Sequence, residues 1–215
     1  MLHGVLSRAD SAVATILFSH GNAGNLSHRL HWLRKMLPLK LNVFMYDYRG
    51  YGKSEGTPTE DGIYADARAA FDHLRTIEGM GDSPVILWGR SLGGAVTVDL
   101  ATHRNADAMI LESTFTSAAD MASSAYPFLP FLGKLIRTKL DSRSKIGSIT
   151  IPSLYIHGSD DSIVHMDLGR KLFEAAGGQK SLYIIEGAGH NDTYIVGGEQ
   201  YLARLVNFLA TVGTR

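Results

Sequence analysis

Short apolar runs alternate with amphipathic stretches along most of the chain. The runs are rich in β-branched and aromatic residues and almost continuously hydrophobic, which is typical of parallel strands that are covered by helices on both faces. This alternation favours right-handed βαβ crossovers in a doubly wound, mostly parallel sheet of the α/β class. The predicted strands are Val13–Phe18, Asn42–Tyr46, Val85–Trp88, Ala108–Leu111, Ser153–Ile156 and Leu182–Ile185, with Leu2–Leu6 as a weak edge strand.

Five segments are predicted to be helices from the spacing of their apolar residues. In the first, Leu26–Leu37, a buried stripe of Leu26, Leu30, Leu33 and Leu37 would end before Pro38. The other predicted helices are Glu60–Ile77, Ser91–His103, Asp167–Ala176 and Glu199–Ala210.

A chain of 215 residues suits a single domain, 1–215, with a substantial core. The stretch 116–149 breaks the alternation, because it contains no clear strand and two prolines interrupt its large apolar residues. We interpret it as a small helical cap inserted over one end of the sheet. An ordinary packed connection is the alternative.

The composition excludes several classes of function. Lys plus Arg and Asp plus Glu both number 21, so no net charge is available to attract nucleic acid or an acidic membrane surface. The absence of cysteine excludes disulfides, thiolate metal ligands and a cysteine nucleophile. No apolar stretch approaches the roughly 20 residues that span a bilayer, and the first ten residues do not resemble a signal peptide. A soluble, cytoplasmic protein is therefore expected.

The pentapeptide Gly89–Gly93, GRSLG, follows a predicted strand and opens a predicted helix. This is the G-x-S-x-G pattern in the strand–turn–helix context of a nucleophile elbow. Small residues two positions either side of Ser91 relieve the crowded turn, so that the serine hydroxyl stands clear of the sheet. The backbone N–H of Leu92 would then lie at a helix N-terminus and face developing negative charge.

A serine hydroxyl needs a base to take its proton, so a histidine and an acid are expected downstream of Ser91. His190 follows the last predicted strand in a loop that contains glycines, which matches the required order. The acid is expected in the loop after Ser153–Ile156, where Asp160 and Asp161 are adjacent. The chemistry alone does not separate these two residues, although aspartate at position 160 is also typical of a turn.

The segment His20–Asn25, HGNAGN, directly follows a predicted strand. A glycine-rich loop at this place can present a backbone N–H toward the nucleophile, and the amides of Asn22 and Leu92 would together form an oxyanion hole. A phosphate-binding loop is the alternative. It is disfavoured because the Lys-Ser/Thr pair of a P-loop and the G-x-G-x-x-G spacing are both missing.

Three further groups are weaker candidates. Asp47–Ser54 is predicted to be a structural turn with an internal ion pair that braces neighbouring loops. Glu112 and Ser113 end a strand near the expected site, where they either line an acyl pocket or only pack. His28 and His31 share a helical spacing, but no acidic cluster accompanies them, so no metal site is predicted.

Five motifs, taken together and in order, resemble those of the serine-aminopeptidase-like branch of the α/β hydrolases. More narrowly, they are similar to the α/β-hydrolase domain-containing proteins related to protein depalmitoylases. The resemblance extends from about Leu2 to Phe208. The motifs are HGNAGN (20–25), YDYRGYGKSEG (46–56), WGRSLGG (88–94), HGSDDSIV (157–164) and GAGHND (187–192).

The resemblance implies an α/β-hydrolase fold and a triad of Ser91 as nucleophile, Asp161 as acid and His190 as base. It also implies Asn22 and Leu92 as oxyanion donors through their backbone amides. The implied reaction is acyl transfer through an acyl-enzyme, without any cofactor.

Two features depart from the family pattern. The residue after Ile163-Val164 is usually proline in the family and is His165 here, which is predicted to be a surface substitution. Many relatives also carry a membrane anchor and a further strand ahead of the region where this chain starts. Membrane association is therefore expected only through such an N-terminal segment.

The leading hypothesis is an esterase that acts on small-molecule esters of small or medium acyl groups. A thioesterase that removes fatty acyl groups from proteins or lipids and a peptidase are the enzymatic alternatives; for the peptidase, Asp120 and Asp141 are cap carboxylates that could hold a free N-terminus. A catalytically silent binding protein is the alternative of another class. The presence of all three triad residue types argues against it.

Overall fold

The computed structural model describes residues 1–77, 80, 83–125 and 137–212. Within them, seven strands form one sheet in the order β1-β3-β2-β4-β5-β6-β7. Each predicted strand is confirmed, with boundaries that differ by two residues or fewer. The strands are β1 (Gly4–Ser7), β2 (Ala14–Ser19), β3 (Leu41–Tyr46), β4 (Val85–Arg90), β5 (Ala108–Glu112), β6 (Ser153–Gly158) and β7 (Lys180–Ile185).

All neighbouring strands are parallel except β1, which pairs antiparallel with β3 at one edge. Strands β2 to β6 are buried along their whole length, as their continuous hydrophobicity predicts. Strand β7 differs, because it forms the other edge and is only half-buried. The loops after β2, β4, β6 and β7 all leave from the same end of the sheet, which brings the four predicted site motifs together.

Helices cover both faces of this sheet. On one face, α1 (Leu30–Met36) and α8 (Gly198–Val212) bury large side chains such as Trp32, Met36, Tyr201 and Leu205. On the other face, α2 (Glu60–Thr76) and α3 (Leu92–Ala101) pack against each other and against the sheet. The helices are α1 (Leu30–Met36), α2 (Glu60–Thr76), α3 (Leu92–Ala101), α4 (Ala118–Ala125), α5 (Arg143–Ile146), α6 (Met166–Ala175), α7 (Thr193–Val196) and α8 (Gly198–Val212).

The predicted stripe of the first helix is wrong in part. Leu30 is 42% exposed and Leu37 is 52% exposed, whereas Trp32, Leu33 and Met36 are buried. The segment begins as a 3-10 helix over Leu26–Arg29 and continues as α1. A 3-10 turn holds 3.0 residues rather than 3.6, so the buried face shifts relative to a continuous α-helix.

The prediction of one domain, 1–215, with a cap at 116–149 stays a prediction. Helices α4 and α5 lie in this stretch, but residues 126–136 are outside the described part of the chain. In the ranges that the structure describes, no helix combines the length and the apolar character needed to cross a bilayer.

Candidate active site

Ser91 lies between β4 and α3 in the backbone conformation of a sharp elbow, with φ 54° and ψ −120°. A positive φ is strained for a residue with a side chain, so the surrounding contacts must hold it. The Ser91 N–H donates to the Glu112 carbonyl at 2.9 Å, and the Thr114 hydroxyl donates to the Ser91 carbonyl at 2.8 Å. These bonds anchor the elbow to the end of β5.

The two glycines of the elbow are required by close backbone approach. A Cβ on Gly89 would lie 2.3 Å from the Gly93 carbonyl oxygen. A Cβ on Gly93 would lie 1.9 Å from the Ser19 carbonyl oxygen on β2. The spacing of the pentapeptide therefore follows from the tight crossing of α3 over β2 and β4.

His190 connects Ser91 to Asp161 by two short contacts. Its Nε2 lies 3.0 Å from the Ser91 Oγ, and its Nδ1 lies 2.8 Å from the Asp161 Oδ2. Because a carboxylate only accepts, Nδ1 carries the proton and Nε2 is left to accept from the serine hydroxyl. Arg90 fixes the backbone of His190, because its Nη2 donates to the His190 carbonyl at 2.7 Å.

Asp161, not Asp160, faces the histidine. Its Oδ1 accepts the backbone N–H groups of Ile163 at 2.9 Å and Val164 at 2.8 Å. Burial alone would raise the pKa of Asp161, but the neighbouring His157 and His190 imidazoles and the Val164 amide outweigh it and hold the pKa well below its usual range. Asp160 instead accepts from the hydroxyl of Ser159 at an exposed turn.

A second imidazole, His157, lies beside the same carboxylate. The His157 Nε2 is 2.8 Å from the Val164 carbonyl oxygen and 3.4 Å from the Asp161 Oδ2. The carbonyl is the nearer acceptor, so the N–H points mainly to it and contributes only a longer contact to the carboxylate. The absence of a side chain at Gly169 lets α6 approach, because a Cβ there would lie 2.3 Å from the His157 Nδ1.

The predicted oxyanion loop lies directly against the elbow. A Cβ on Gly21 would be 3.3 Å from the Ser91 Cβ, and Asn22 lines cavities on both sides of Ser91. The Tyr51 hydroxyl donates to the Asn22 Oδ1 at 2.6 Å and so fixes the side chain of Asn22. Leu92 is the first residue of α3, where a backbone N–H has no intrahelical partner.

The turn Asp47–Ser54 braces this loop, but the predicted internal ion pair is wrong. Arg49 instead forms a two-pronged pair with Asp66 of α2, with the Nη2–Oδ1 distance at 2.7 Å. Asp47 accepts the Leu26 N–H at 2.9 Å. The turn therefore ties together the oxyanion loop and α2 through two separate carboxylates.

The side chains of the remaining candidates lie outside the chain of Ser91, His190 and Asp161. Glu112 and Ser113 are fully buried and do not line the pocket, so packing is the correct alternative. His28 and His31 bind the backbone N–H of Asn25 and the Tyr194 hydroxyl respectively. Among the described residues, no three carboxylate or imidazole groups converge as metal ligands would. His165 is exposed at the start of α6, as predicted for a surface substitution.

Two cavities meet at Ser91. The first, of about 420 Å³, is mainly apolar and lies under α4 and the end of the cap stretch. The second, of about 220 Å³, contains the side chains of Arg29, Arg90 and His190. The first cavity is lined by Ile63, Leu92, Phe115, Met121, Leu140 and Val164, among others.

Sequence reasoning missed four residues of this site: Arg29, Tyr51, Arg90 and His157. Arg90 is the variable position of the G-x-S-x-G motif, and His157 stands inside the motif that supplied the acid. Tyr51 also stands in a motif, whereas Arg29 stands in none. The contacts of these residues were not visible in the sequence, because they depend on how loops from distant parts of the chain pack.

Comparison with known proteins agrees with this architecture. The family model described as serine aminopeptidase, S33, matches residues 10–145. The chain is 40% identical to the alpha/beta hydrolase domain-containing protein WAV2 of Arabidopsis thaliana, over 91% of this chain and 69% of that protein. It is 38% identical to the human alpha/beta hydrolase domain-containing protein 17B, over 94% of this chain and 68% of that protein.

Solved structures share the fold at low identity. The esterase Est1E of Butyrivibrio proteoclasticus, solved with bound ferulic acid, superposes with a TM-score of 0.79 at 17% identity. The alignment covers 100% of this chain and 96% of that one. At this identity the similarity concerns the fold alone.

Proposed function

The chain belongs to the serine aminopeptidase S33 family of α/β hydrolases, and we propose that it is a serine hydrolase that cleaves carboxylic esters of small or medium acyl groups. One observation carries the proposal. The Ser91 Oγ, the His190 ring and the Asp161 carboxylate form a continuous hydrogen-bonded chain, with links of 3.0 and 2.8 Å. This is the geometry of a nucleophile, its general base and the group that orients the base.

In the proposed reaction, the Ser91 oxygen attacks the ester carbonyl carbon while the His190 Nε2 takes the hydroxyl proton. The carbonyl oxygen becomes negatively charged, and the backbone N–H groups of Asn22 and Leu92 stabilise it. The carbon–oxygen bond to the alcohol then breaks, and His190 gives its proton to the departing oxygen. Water repeats the sequence on the acyl-enzyme, which releases the acid and restores Ser91.

Asp161 has two tasks in this scheme. Its Oδ2 fixes the tautomer in which Nδ1 carries the proton, and its charge stabilises the imidazolium that forms when His190 accepts a second proton. Its depressed pKa keeps the carboxylate ionised well below neutral pH.

The apolar cavity supports an acyl group rather than a peptide as substrate. An aminopeptidase needs a free carboxylate for the substrate's α-amino group. The one carboxylate among the described lining residues, Glu60, already accepts the N–H groups of Lys139 at 2.6 Å and Leu140 at 2.8 Å. Asp120 and Asp141 do not line the cavity.

A series of 4-nitrophenyl esters from acetate to palmitate tests this function. We expect the highest kcat/KM for medium chains, because the apolar cavity of about 420 Å³ accommodates them more easily than the palmitoyl chain. Ser91→Ala should reduce kcat by about 10⁶-fold. Ser148→Ala, at an exposed serine that precedes β6, is the matched control.

The same series made as thioesters separates esterase from thioesterase activity. Preference for the palmitoyl thioester over every medium-chain ester would favour the thioesterase. Absence of hydrolysis of all of these substrates by folded protein would contradict the proposed function.

A further inference from the structure

The smaller cavity beside Ser91 differs from the larger one in that two arginine side chains, Arg29 and Arg90, line it. We call it the arginine pocket. Its residues come from the oxyanion loop and the 3-10 helix after it, the elbow, the acid loop after β6 and the histidine loop, and Ser91 lines both this pocket and the apolar cavity. The lining consists of Gly21, Asn22, Ala23, Arg29, Arg90, Ser91, Ile163, His190 and Asn191.

Both guanidinium groups in this pocket have spare donors. In the described part of the chain, Arg29 makes one hydrogen bond, from Nη2 to the Ala23 carbonyl, and its buried Nε has no partner. Arg90 is buried and likewise donates once, to the His190 carbonyl. A guanidinium carries five N–H groups, so most of them are unused.

No carboxylate of the described residues lies within 4.0 Å of either arginine. Burial, followed by the like charge of Arg90, lowers the pKa of Arg29. Asp47 acts on Arg29 from a greater distance, but its Oδ1 already accepts the Leu26 N–H. Arg90 is buried over the ring of Tyr194, with 5.8 Å between its Cζ and the ring centroid, and Arg29 is half-buried. Two neighbouring positive charges that are partly removed from water are costly, and an anion in the pocket would relieve that cost.

The position of the pocket indicates which part of a substrate would enter it. His190 lines the arginine pocket and not the apolar cavity. In acyl transfer the histidine must reach the leaving oxygen to protonate it, so the leaving group lies on the histidine side. The acyl chain then occupies the apolar cavity.

We propose that the arginine pocket binds a carboxylate or phosphate carried by the alcohol part of the ester, so that the substrates are apolar acyl esters of anionic alcohols. This inference rests on the proposed esterase function. Arginine forks match the paired oxygens of both anions, and such charge-assisted hydrogen bonds are stronger than neutral ones.

The test compares esters that differ only in this charge. The substrates are 3-(butanoyloxy)benzoate, its uncharged methyl ester and 3-(butanoyloxy)phenyl phosphate. We expect kcat/KM for at least one anionic ester to exceed that for the methyl ester by about tenfold or more. Comparison of the carboxylate with the phosphate identifies the preferred anion.

Variants of Arg29 assign any such preference to the pocket. Arg29→Met should reduce the ratio of anionic to neutral kcat/KM by about tenfold. Arg34→Met removes the same charge from an exposed position on α1 and should leave the ratio unchanged. Arg29→Lys retains the charge without the fork and should give an intermediate ratio, which also serves if the methionine variant does not fold.

The outcomes separate the two proposals. Hydrolysis of the neutral ester at the same or a higher rate than both anionic esters would overturn the arginine pocket and leave the esterase function intact. An anionic preference that Arg34→Met reduces as much as Arg29→Met would also overturn it, because long-range attraction would then explain the preference. Hydrolysis of none of the three esters by folded protein would overturn the esterase function, and the pocket assignment with it.

Discussion

Asp161 and Glu112 are both buried carboxylates at the same end of the sheet, yet their partners differ in kind. Glu112 is the last residue of β5 and is 0% exposed, while Asp161 follows β6 and is 4% exposed. Among the described residues, the Glu112 carboxylate accepts only from neutral side chains. Its donors are the Trp88 Nε1 at 3.1 Å, the Tyr201 hydroxyl at 3.2 Å and the Thr193 hydroxyl.

The oxygens of Asp161 are divided between two tasks. Oδ1 is held by two backbone amides, and Oδ2 faces the imidazole that reaches Ser91. The Glu112 carbonyl accepts the Ser91 N–H, but its carboxylate connects β4, α7 and α8 and has no hydrogen bond to Ser91, His190 or Asp161. Burial therefore does not distinguish the two groups. A carboxylate with a role in the proposed chemistry is recognised by a titratable partner that leads to a nucleophile.

The largest contrast is expected in activity. Asp161→Asn should reduce kcat/KM for a 4-nitrophenyl ester by about 10⁴-fold, because an amide that keeps its bonds to the loop N–H groups no longer favours the working tautomer of His190. Glu112→Gln should leave the activity of folded protein within about tenfold, since it only exchanges neutral contacts. Similar losses in both variants, measured on samples with native circular dichroism, would remove the distinction.

The contribution of Glu112 should appear in stability rather than in activity. Glu112→Gln replaces an oxygen by an NH₂ group that faces other donors, so the free energy of unfolding should fall by about 1–3 kcal/mol. Urea denaturation followed by tryptophan fluorescence measures it, and Trp88 is itself a partner of Glu112. An unchanged midpoint would mean that this buried network does not stabilise the fold.

A smaller effect is expected from one partner of Glu112. Thr193→Val removes one hydroxyl donor at nearly constant volume and should cost about 1 kcal/mol. Thr193→Ser keeps the hydroxyl and serves as the matched control. Thr193 begins α7, three residues after His190. If the decrease in kcat/KM, expressed as a free energy, exceeds the decrease in the free energy of unfolding, Glu112 also positions the histidine loop.

The smallest expected effect is the acid dependence of stability. The folded-state pKa of Asp161 lies below that of the unfolded chain, so its ionised form stabilises the fold above about pH 4. This contribution is lost as the pH falls toward the folded-state pKa. The free energy of unfolding of the wild type should therefore decline more than that of Asp161→Asn between neutral pH and pH 3. A constant difference across that range would contradict the assigned pKa shift.

The motifs predicted the meeting of Ser91, Asp161 and His190 because of one physical rule. Parallel strands that alternate with helices all end at the same edge of the sheet, so loops that follow different strands converge there. The elbow spacing also predicted where glycine is indispensable. The choice of Asp161 over Asp160 needed the family resemblance, because the two adjacent residues differ only in which way the turn directs them.

Contacts between loops and helices were beyond prediction. Arg49 reaches Asp66 rather than Asp47 because α2 passes beside the turn, a result of tertiary packing. The exposure of Leu30 and Leu37 follows from a 3-10 turn whose sequence signal is weak. Arg29 lies near Arg90 because the 3-10 helix that carries Arg29 packs beside the elbow that carries Arg90. The spacing of residues in the sequence does not predict this contact.

If Ser91 is an activated nucleophile, as proposed, it should react with a fluorophosphonate probe. Purified protein is incubated with the probe, and the adduct is located by mass spectrometry beside Ser91→Ala and His190→Ala. We expect one adduct, on Ser91, that is absent from Ser91→Ala and strongly reduced in His190→Ala. Folded protein that takes up no probe, or that labels equally without His190, would contradict the triad.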